Sequence, residues 1–172
     1  MNRRGLILIL LVFGALTARA QWSVDSAKRK VFSELDTKYK DALIVVDGVP
    51  SNAAQISENK VFDIIAIDKG KLTGLYTEVP QHDLIVVTTK AAVKIHYQKT
   101  LSALSLDYRN YLDANHNDDS NLQYILNSQA LKSGSEEQLD RLYKLSPEKI
   151  TNVSLTTVKG KKTLIIDINF DE

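Results

Sequence analysis

Apolar residues in the first half of the chain follow first a helical and then a strand-like spacing. Over residues 24–39 they recur every three or four positions with charges between them, which predicts an amphipathic helix. The stretch ALIVVD follows with four consecutive aliphatic residues, and this run predicts a buried strand. Further strands are predicted over residues 63–68 and 83–90, with a glycine- and proline-containing loop between them.

The second half repeats this order of elements. Residues 101–114 have helical spacing, and the polar stretch NHNDDSN separates them from a predicted strand, LQYILN. SEEQLDRLYKL predicts a helix with Ser135 as N-cap and Gln138 three residues later, which is a capping box. KITNVSLTTV and KTLIIDINF predict the last two strands, with KGKK as the turn of a hairpin.

Two segments of the chain resemble each other. ISENKVFDIIAID aligns without a gap with LSPEKITNVSLTT, so that Ile56 falls on Leu145, 89 positions later. A chance likeness within one α+β domain is the alternative to duplication. We predict an α+β fold of two tandem units, each helix, strand, helix, strand, strand, over residues 21–95 and 96–172.

The first 20 residues have the pattern of a secretory signal peptide. Arg3 and Arg4 precede the apolar run GLILILLVFGAL, and TARA ends in the small residues that a signal peptidase requires. A membrane anchor is the alternative, but the run is shorter than the roughly 20 residues that a spanning helix needs. We therefore expect cleavage after Ala20 and a periplasmic or outer-membrane-associated protein that is not an integral membrane protein once processed.

Charge and cysteine content narrow the function further. The chain has 22 basic and 21 acidic residues, and loss of three arginines with the signal peptide leaves 19 basic residues and a net charge of −2. Binding to nucleic acid depends on neutralising phosphates, so we expect no nucleic-acid partner. The absence of cysteine excludes disulfides, thiolate chemistry and a lipid on the processed N-terminus.

Residues 113–121 begin like a calcium-binding loop. Asp113, Asn115 and Asn117 occupy alternate positions, as in loops that wrap calcium with oxygen ligands. Asp118 then stands where such a loop needs glycine, and Tyr124 where it needs a bidentate glutamate. We predict a solvated linker here, and no metal site or cofactor anywhere in the chain, because the three histidines are also not at ligand spacing.

Catalytic residues are not predicted. Four acids near strand ends and helix starts are the material for a carboxylate pair, and a hydrolase using them is the less favoured alternative; they are Asp47, Glu58, Asp63 and Asp68. Acids in such places ordinarily cap backbone amides. No serine lies in a Gly-x-Ser-x-Gly or Ser-x-x-Lys pattern. We therefore expect a protein that is not an enzyme.

Tyrosines offer a better indication of binding. Four of them lie around the junction of the two predicted units, namely Tyr97, Tyr108, Tyr111 and Tyr124. Tyrosine is enriched at recognition surfaces, although at helical spacing it more often packs half-buried. We include Tyr97, Tyr108 and Tyr111 among the candidate binding residues.

Four motifs of the first unit follow one another between about Leu43 and Lys90, namely LIVVDGVPS, ISENKVFDIIAIDKG, GLY and DLIVVTTK. In their order and approximate spacing they resemble the plug domain of TonB-dependent outer-membrane receptors. The second unit is similar only in LSPEKITNVSL. Two of the family's turn glycines are absent, because Thr77 follows Tyr76 and Asp83 precedes the last strand.

The resemblance implies a detached plug-like module that acts by binding. Receptor plugs fill a barrel of about 22 strands, and about 80 residues after Lys90 cannot supply one. The implied partner is an outer-membrane or TonB-system protein, and Asp47, Gly48 and Tyr76 of the matched motifs join the candidate binding residues. A small periplasmic protein that captures a ligand is the alternative.

Overall fold

The computed structural model describes residues 24–52, 56–72 and 82–169. The chain divides into two compact units between Thr89 and Lys90, whereas the sequence places this boundary between residues 95 and 96. The predicted signal peptide lies outside the described residues. No helix among the described residues has both the length and the apolar content needed to span a membrane.

The first unit begins with helix α1 (Val24–Glu34), followed by the short hairpin of β1 (Leu43–Val46) and β2 (Val49–Ser51). A 3₁₀ turn (Glu58–Lys60) leads into β3 (Val61–Ile67), and a single helical turn, α2 (Lys69–Leu72), precedes β4 (Leu84–Thr89). The strands form one mixed sheet in the order β2-β1-β4-β3, in which β1 runs parallel to β4. The predicted helix over residues 24–39 is therefore shorter than expected, and residues 35–41 form turns.

One face of the first sheet packs beneath α1. Its aliphatic side chains form a core with the residues that follow the helix, and the buried members are Leu35, Tyr39, Ile44, Val61, Ile64, Ile85 and Val87. Strand alternation places the neighbouring residues of β1, β3 and β4 on the opposite face. Both faces of these three strands are rich in aliphatic residues, as their sequences LIVV, VFDIIAI and LIVVTT require.

The second unit begins with two consecutive helices, α3 (Lys90–Leu104) and α4 (Leu106–Ala114). Strands β5 (Gln123–Leu126) and β6 (Gln129–Ala130) form a short hairpin, and α5 (Glu136–Tyr143) leads through a 3₁₀ turn (Pro147–Lys149) to β7 (Ile150–Val158) and β8 (Lys161–Ile168). The sheet order is β6-β5-β8-β7, with β5 parallel to β8. The sequence prediction of one helix over residues 101–114 is wrong, because Ser105 ends α3 and caps α4 by accepting a hydrogen bond from the Tyr108 N–H.

The two units share one arrangement, which confirms the predicted α+β fold of two similar units. Corresponding strands have the same order and direction in the two sheets. A bulge between Val61 and Asp63 in β3 recurs between Ile150 and Asn152 in β7, again 89 positions later. A 3₁₀ turn after a serine precedes each of these strands. A shared bulge at aligned positions is a specific structural feature, so the gapless alignment describes a real correspondence.

Candidate functional site

The most concentrated polar structure in the second unit is centred on the carboxylate of Asp119. This residue is 3 % exposed, and its Oδ2 accepts hydrogen bonds from three tyrosine hydroxyls: Tyr97 at 3.1 Å, Tyr108 at 2.9 Å and Tyr124 at 2.5 Å. The Lys94 ammonium lies 3.0 Å from Oδ1. We call Asp119, these three tyrosines and Lys94 the Asp119 cluster.

Four separate segments contribute to the Asp119 cluster. Lys94 and Tyr97 lie one helical turn apart on α3, Tyr108 lies on α4 and Tyr124 on β5. Asp119 itself is in the linker before β5, whose course is set by left-handed backbone at His116 and Asn117. The Gln98 side chain holds this linker by donating to the Asn117 carbonyl at 3.1 Å. The cluster therefore joins α3, α4, the linker and the sheet of this unit.

Burial and hydrogen bonding fix the protonation states in the cluster. Burial raises the pKa of Asp119, but hydrogen bonds from Tyr124, Gln98, Lys94 and Tyr108 together outweigh it, so the pKa lies below its ordinary value. The pKa values of all three cluster tyrosines are raised, first by burial and then by the charge of Asp119 and neighbouring phenols. Near neutral pH the cluster therefore holds one ionised carboxylate and three protonated phenols.

This arrangement is suited to holding the unit together and not to reaction with a substrate. The phenols are kept far from ionisation, so none is an activated nucleophile or base. The carboxylate has its acceptor sites occupied and is not accessible to solvent. Tyr97 and Tyr124 also contact edge to face, with ring centroids 6.1 Å apart.

The predicted tyrosine sites have different positions in the structure. Tyr97 and Tyr108 are buried in the Asp119 cluster, so in this unit they are core residues and do not form a surface. Tyr111 is half-buried, and burial followed by the charges of Asp118 and Asp119 raises its pKa. Tyr76 lies outside the described residues.

Asp47 and Gly48 form the two central residues of the turn between β1 and β2. Both have positive φ, 49° and 83°, which is the geometry of a type I′ hairpin turn. The Asp47 carboxylate accepts hydrogen bonds from the Thr89 N–H at 2.8 Å and the Thr89 hydroxyl at 2.7 Å. Asp47 therefore caps the end of β4, the parallel neighbour of its own strand.

The second unit has the same turn with different residues. Asn127 and Ser128 have φ of 45° and 67°, and Asn127 Oδ1 accepts a hydrogen bond from the Ile168 N–H at 2.7 Å. Asn127 also donates from Nδ2 to the Ile168 carbonyl at 3.1 Å. An amide thus caps the end of β8 as the Asp47 carboxylate caps β4, so this position serves the architecture in both units.

The remaining candidates for metal or acid chemistry do not converge. No group of three or more acidic or histidine side chains in residues 24–52, 56–72 and 82–169 is arranged to hold a metal ion. Asn115 ends α4 and its amide donates to the Tyr111 carbonyl, while Asp118 accepts from Ser120. Asp63 accepts from the N–H of Ile64, which is a local backbone contact.

The first sheet has an aliphatic second face that is separate from the core beneath α1. The strand register places side chains of β1, β4 and β3 next to one another on it: Leu43, Val45, Ile65, Ile67, Leu84 and Val86. We call these six residues the aliphatic face. Leu43 is 52 % exposed, Val45 is buried and the other four are half-buried.

Sequence reasoning does not identify the central residue of the polar cluster or the aliphatic second face of the first sheet. The sequence predicts a solvated linker at Asp119, because a buried acid in NHNDDSN has no local signature. Its signal was indirect: several tyrosines near one linker require buried hydrogen-bond partners. The aliphatic face had a direct signal in the runs LIVV and IIAI, which do not alternate with polar residues.

Comparison of this chain with models of protein families, with characterised proteins and with solved structures finds no match.

Proposed function

We propose that this chain is an exported, non-catalytic interaction module of the cell envelope, and that the aliphatic face of its first unit is the binding surface. The observation that carries the proposal is the contrast between this face and the polar groups of the chain. The Asp47 carboxylate is engaged in capping, and the hydroxyls of Tyr97, Tyr108 and Tyr124 are engaged in the buried Asp119 cluster. The aliphatic side chains retain area that a partner can cover.

The energetics of the aliphatic face favour association. Removal of apolar surface from water contributes about 25 cal/mol per Å², so full burial of one exposed leucine contributes about 1.5–3 kcal/mol. Leu43 and the four half-buried side chains of this face lie in adjacent register around the buried Val45, and contiguous apolar residues of this kind mark interaction sites on soluble proteins. Leu43, at 52 % exposure, has the most to gain from being covered.

The kind of partner follows from the resemblance in the first unit. The motifs that resemble a receptor plug include LIVVDGVPS and DLIVVTTK, and these motifs contain β1 and β4. Plug domains work against outer-membrane barrels and the TonB system. We therefore propose an outer-membrane or TonB-system protein as the partner class.

The test compares two substitutions in the same sheet. Leu43→Glu places a charge on the aliphatic face. Val49→Glu is the control: Val49 is a 64 % exposed residue of β2, and it pairs with Val46, which packs against the core on the opposite face of the sheet. Wild-type protein, cross-linked in envelopes before solubilisation, should capture an outer-membrane or TonB-type protein. Leu43→Glu should reduce this capture at least tenfold and Val49→Glu should leave it unchanged. Equal capture by both variants, or no captured envelope protein, would contradict the proposal.

The proposed location has its own test. Expression of the full chain in a Gram-negative cell, followed by fractionation and N-terminal sequencing, should yield a periplasmic or outer-membrane-associated protein that begins at Gln21. Recovery of the uncleaved chain from the cytoplasm would contradict export.

A further inference from the structure

We infer that the outer edge of β7 pairs with the β7 edge of a second copy of this chain, as two antiparallel strands related by a two-fold axis at Leu155. The inference concerns the second unit and does not depend on the proposed function of the first. In the described part of the chain, β7 lies at the end of its sheet and pairs only with β8.

The β7 edge differs from the other three sheet edges in lacking protection. β2 is three residues long and contains Pro50, and β6 has only two residues. β3 carries Asp63, and the Lys28 ammonium donates to the Val61 carbonyl at its start. Charges, proline, bulges and short length are devices that keep sheet edges from pairing.

β7 is long and has neither charge nor proline, and its bulge lies at its start, between Ile150 and Asn152, outside residues 153–157. It runs for nine residues, ITNVSLTTV, without a charge, a proline or a glycine. Threonine, valine and isoleucine, which favour strands, make up most of it. A long, uncharged edge of this composition is a template for another strand, and no like charges would meet if that strand were a second β7.

The hairpin geometry identifies the backbone groups that point outward. β7 and β8 are joined by the two-residue turn Lys159-Gly160, with φ of 49° and 78°, so Val158 and Lys161 form the hydrogen-bonded pair that closes the hairpin. Hydrogen-bonded and non-hydrogen-bonded pairs alternate along an antiparallel ladder. The N–H and C=O groups of three alternate residues therefore point away from β8, namely Val153, Leu155 and Thr157.

These outward groups are self-complementary about Leu155. An antiparallel partner centred there pairs Leu155 with its own copy and Val153 with Thr157, which forms about six backbone hydrogen bonds. On the other face of the sheet, Ser154 lies opposite Thr156 of the second copy, and serine and threonine are favourable cross-strand neighbours. Leu155 and Val153 are half-buried, so the added strand also extends the apolar side of this sheet.

The decisive variant removes one outward donor without disturbing β8. Thr157 is exposed and pairs with Lys162 in a non-hydrogen-bonded position, so Thr157→Pro deletes an N–H that the β7–β8 ladder does not use. Thr157→Val is the matched control, because it keeps the N–H and the branched shape. Sedimentation equilibrium of the chain without residues 1–20 should show a dimer for wild type and for Thr157→Val. The dimer dissociation constant of Thr157→Pro should be larger by about tenfold or more.

A cross-linking measurement tests the register and does not rely on proline. The chain has no cysteine, so Thr156→Cys introduces one thiol, and in the inferred dimer the two copies of residue 156 lie roughly 8 Å apart. A short bismaleimide should cross-link this variant efficiently. Lys132→Cys, an exposed site just after β6 at the opposite edge of the sheet, should not cross-link. A monomer at all concentrations, a dimer that persists in Thr157→Pro, or equal cross-linking at the two sites would each overturn the inference.

Discussion

Removal of the Asp119 carboxylate should be among the most destabilising single changes in the second unit. Asp119→Ala deletes the acceptor of three buried hydroxyls and leaves Lys94 without its buried partner. The cost comes from the groups left behind, because a buried donor without an acceptor loses its solvation without compensation.

The structure allows an estimate of this cost. Each unsatisfied buried hydroxyl costs about 1–3 kcal/mol. Tyr108 and Tyr124 already lie 3.1 Å apart and can bond each other, and Lys94 can turn toward Asp118 and solvent, so the terms do not simply add. We expect a total of about 3–5 kcal/mol, the range for breaking a buried ion pair. This is a large part of the 5–15 kcal/mol that stabilises a typical domain.

Asp118→Ala is the matched control. Asp118 is the adjacent residue, has the same side chain and lies 3.4 Å from the same Lys94, but its side chain is 56 % exposed. Exposed ion pairs contribute about 1 kcal/mol or less. Urea unfolding followed by near-ultraviolet circular dichroism of the tyrosines should move the midpoint of Asp119→Ala down by about 2 M, for a slope near 2 kcal/mol per molar, and that of Asp118→Ala very little. Equal midpoints for the two variants would show that the cluster does not carry the stability assigned to it.

Four further outcomes are expected. Because the pKa of Asp119 is lowered in the folded chain, the stability that this carboxylate contributes is present above the unfolded pKa near 3.8 and is lost as pH falls further. The difference in free energy of unfolding between wild type and Asp119→Asn should therefore disappear in acid. A difference that widens below about pH 4 would contradict this. The raised pKa values of the cluster tyrosines contribute stability below about pH 10 that is lost as pH rises. The absorbance of these three phenolates at 295 nm should therefore appear only together with unfolding, which circular dichroism detects. Ionisation of these phenols before unfolding would refute the assignment. Asp47→Ala should lower the free energy of unfolding by about 1–2 kcal/mol through loss of the Thr89 bonds, and Asp47→Asn by less than half of that, as urea midpoints can show. Ser128→Gly should raise the free energy of unfolding by about 0.5–1 kcal/mol, because Ser128 has φ of 67°, which glycine adopts at lower cost than serine. Gly48→Ser should lower the free energy of unfolding by a similar amount. Thermal midpoints of the two variants that move in the same direction would contradict the turn assignment.

Local patterns of the sequence predict most of the strands and the duplication. Aliphatic runs such as LIVV predict β1 and β4, because a short run of consecutive aliphatic residues rich in valine and isoleucine favours a buried strand. Only one of the two hydrogen bonds of the predicted capping box of α5 is present. Ser135 accepts from the Gln138 N–H at 3.1 Å, but Gln138 Oε1 accepts from the Gly134 N–H instead of that of Ser135. Positive φ at Gly134 displaces this contact by one residue.

The centre of the second unit was beyond sequence reasoning for a physical reason. A carboxylate in a polar stretch looks solvated unless its distant partners are known, and those of Asp119 come from α3, α4 and β5. The sequence does not predict the helix Lys90–Leu104 for a related reason: its first ten residues, KAAVKIHYQK, place polar Gln98 on the buried face. Gln98 is buried because it holds the linker, a role that periodicity alone cannot reveal.

The two units illustrate how one strand arrangement tolerates different interiors. The caps Asp47 and Asn127 occupy the same place and perform the same contact, so exchange of acid for amide there has little consequence. The second unit then concentrates a carboxylate and its donors in its interior, which fixes the helices in a single arrangement because every polar group must keep its partner. The first sheet has a different interior: its strands β1, β3 and β4 are largely aliphatic on both faces, and α1 packs against one of these faces. Exposed apolar surface is a cost to an isolated unit, and in the first unit the 52 % exposure of Leu43 on the aliphatic face is the reason to look for a partner there.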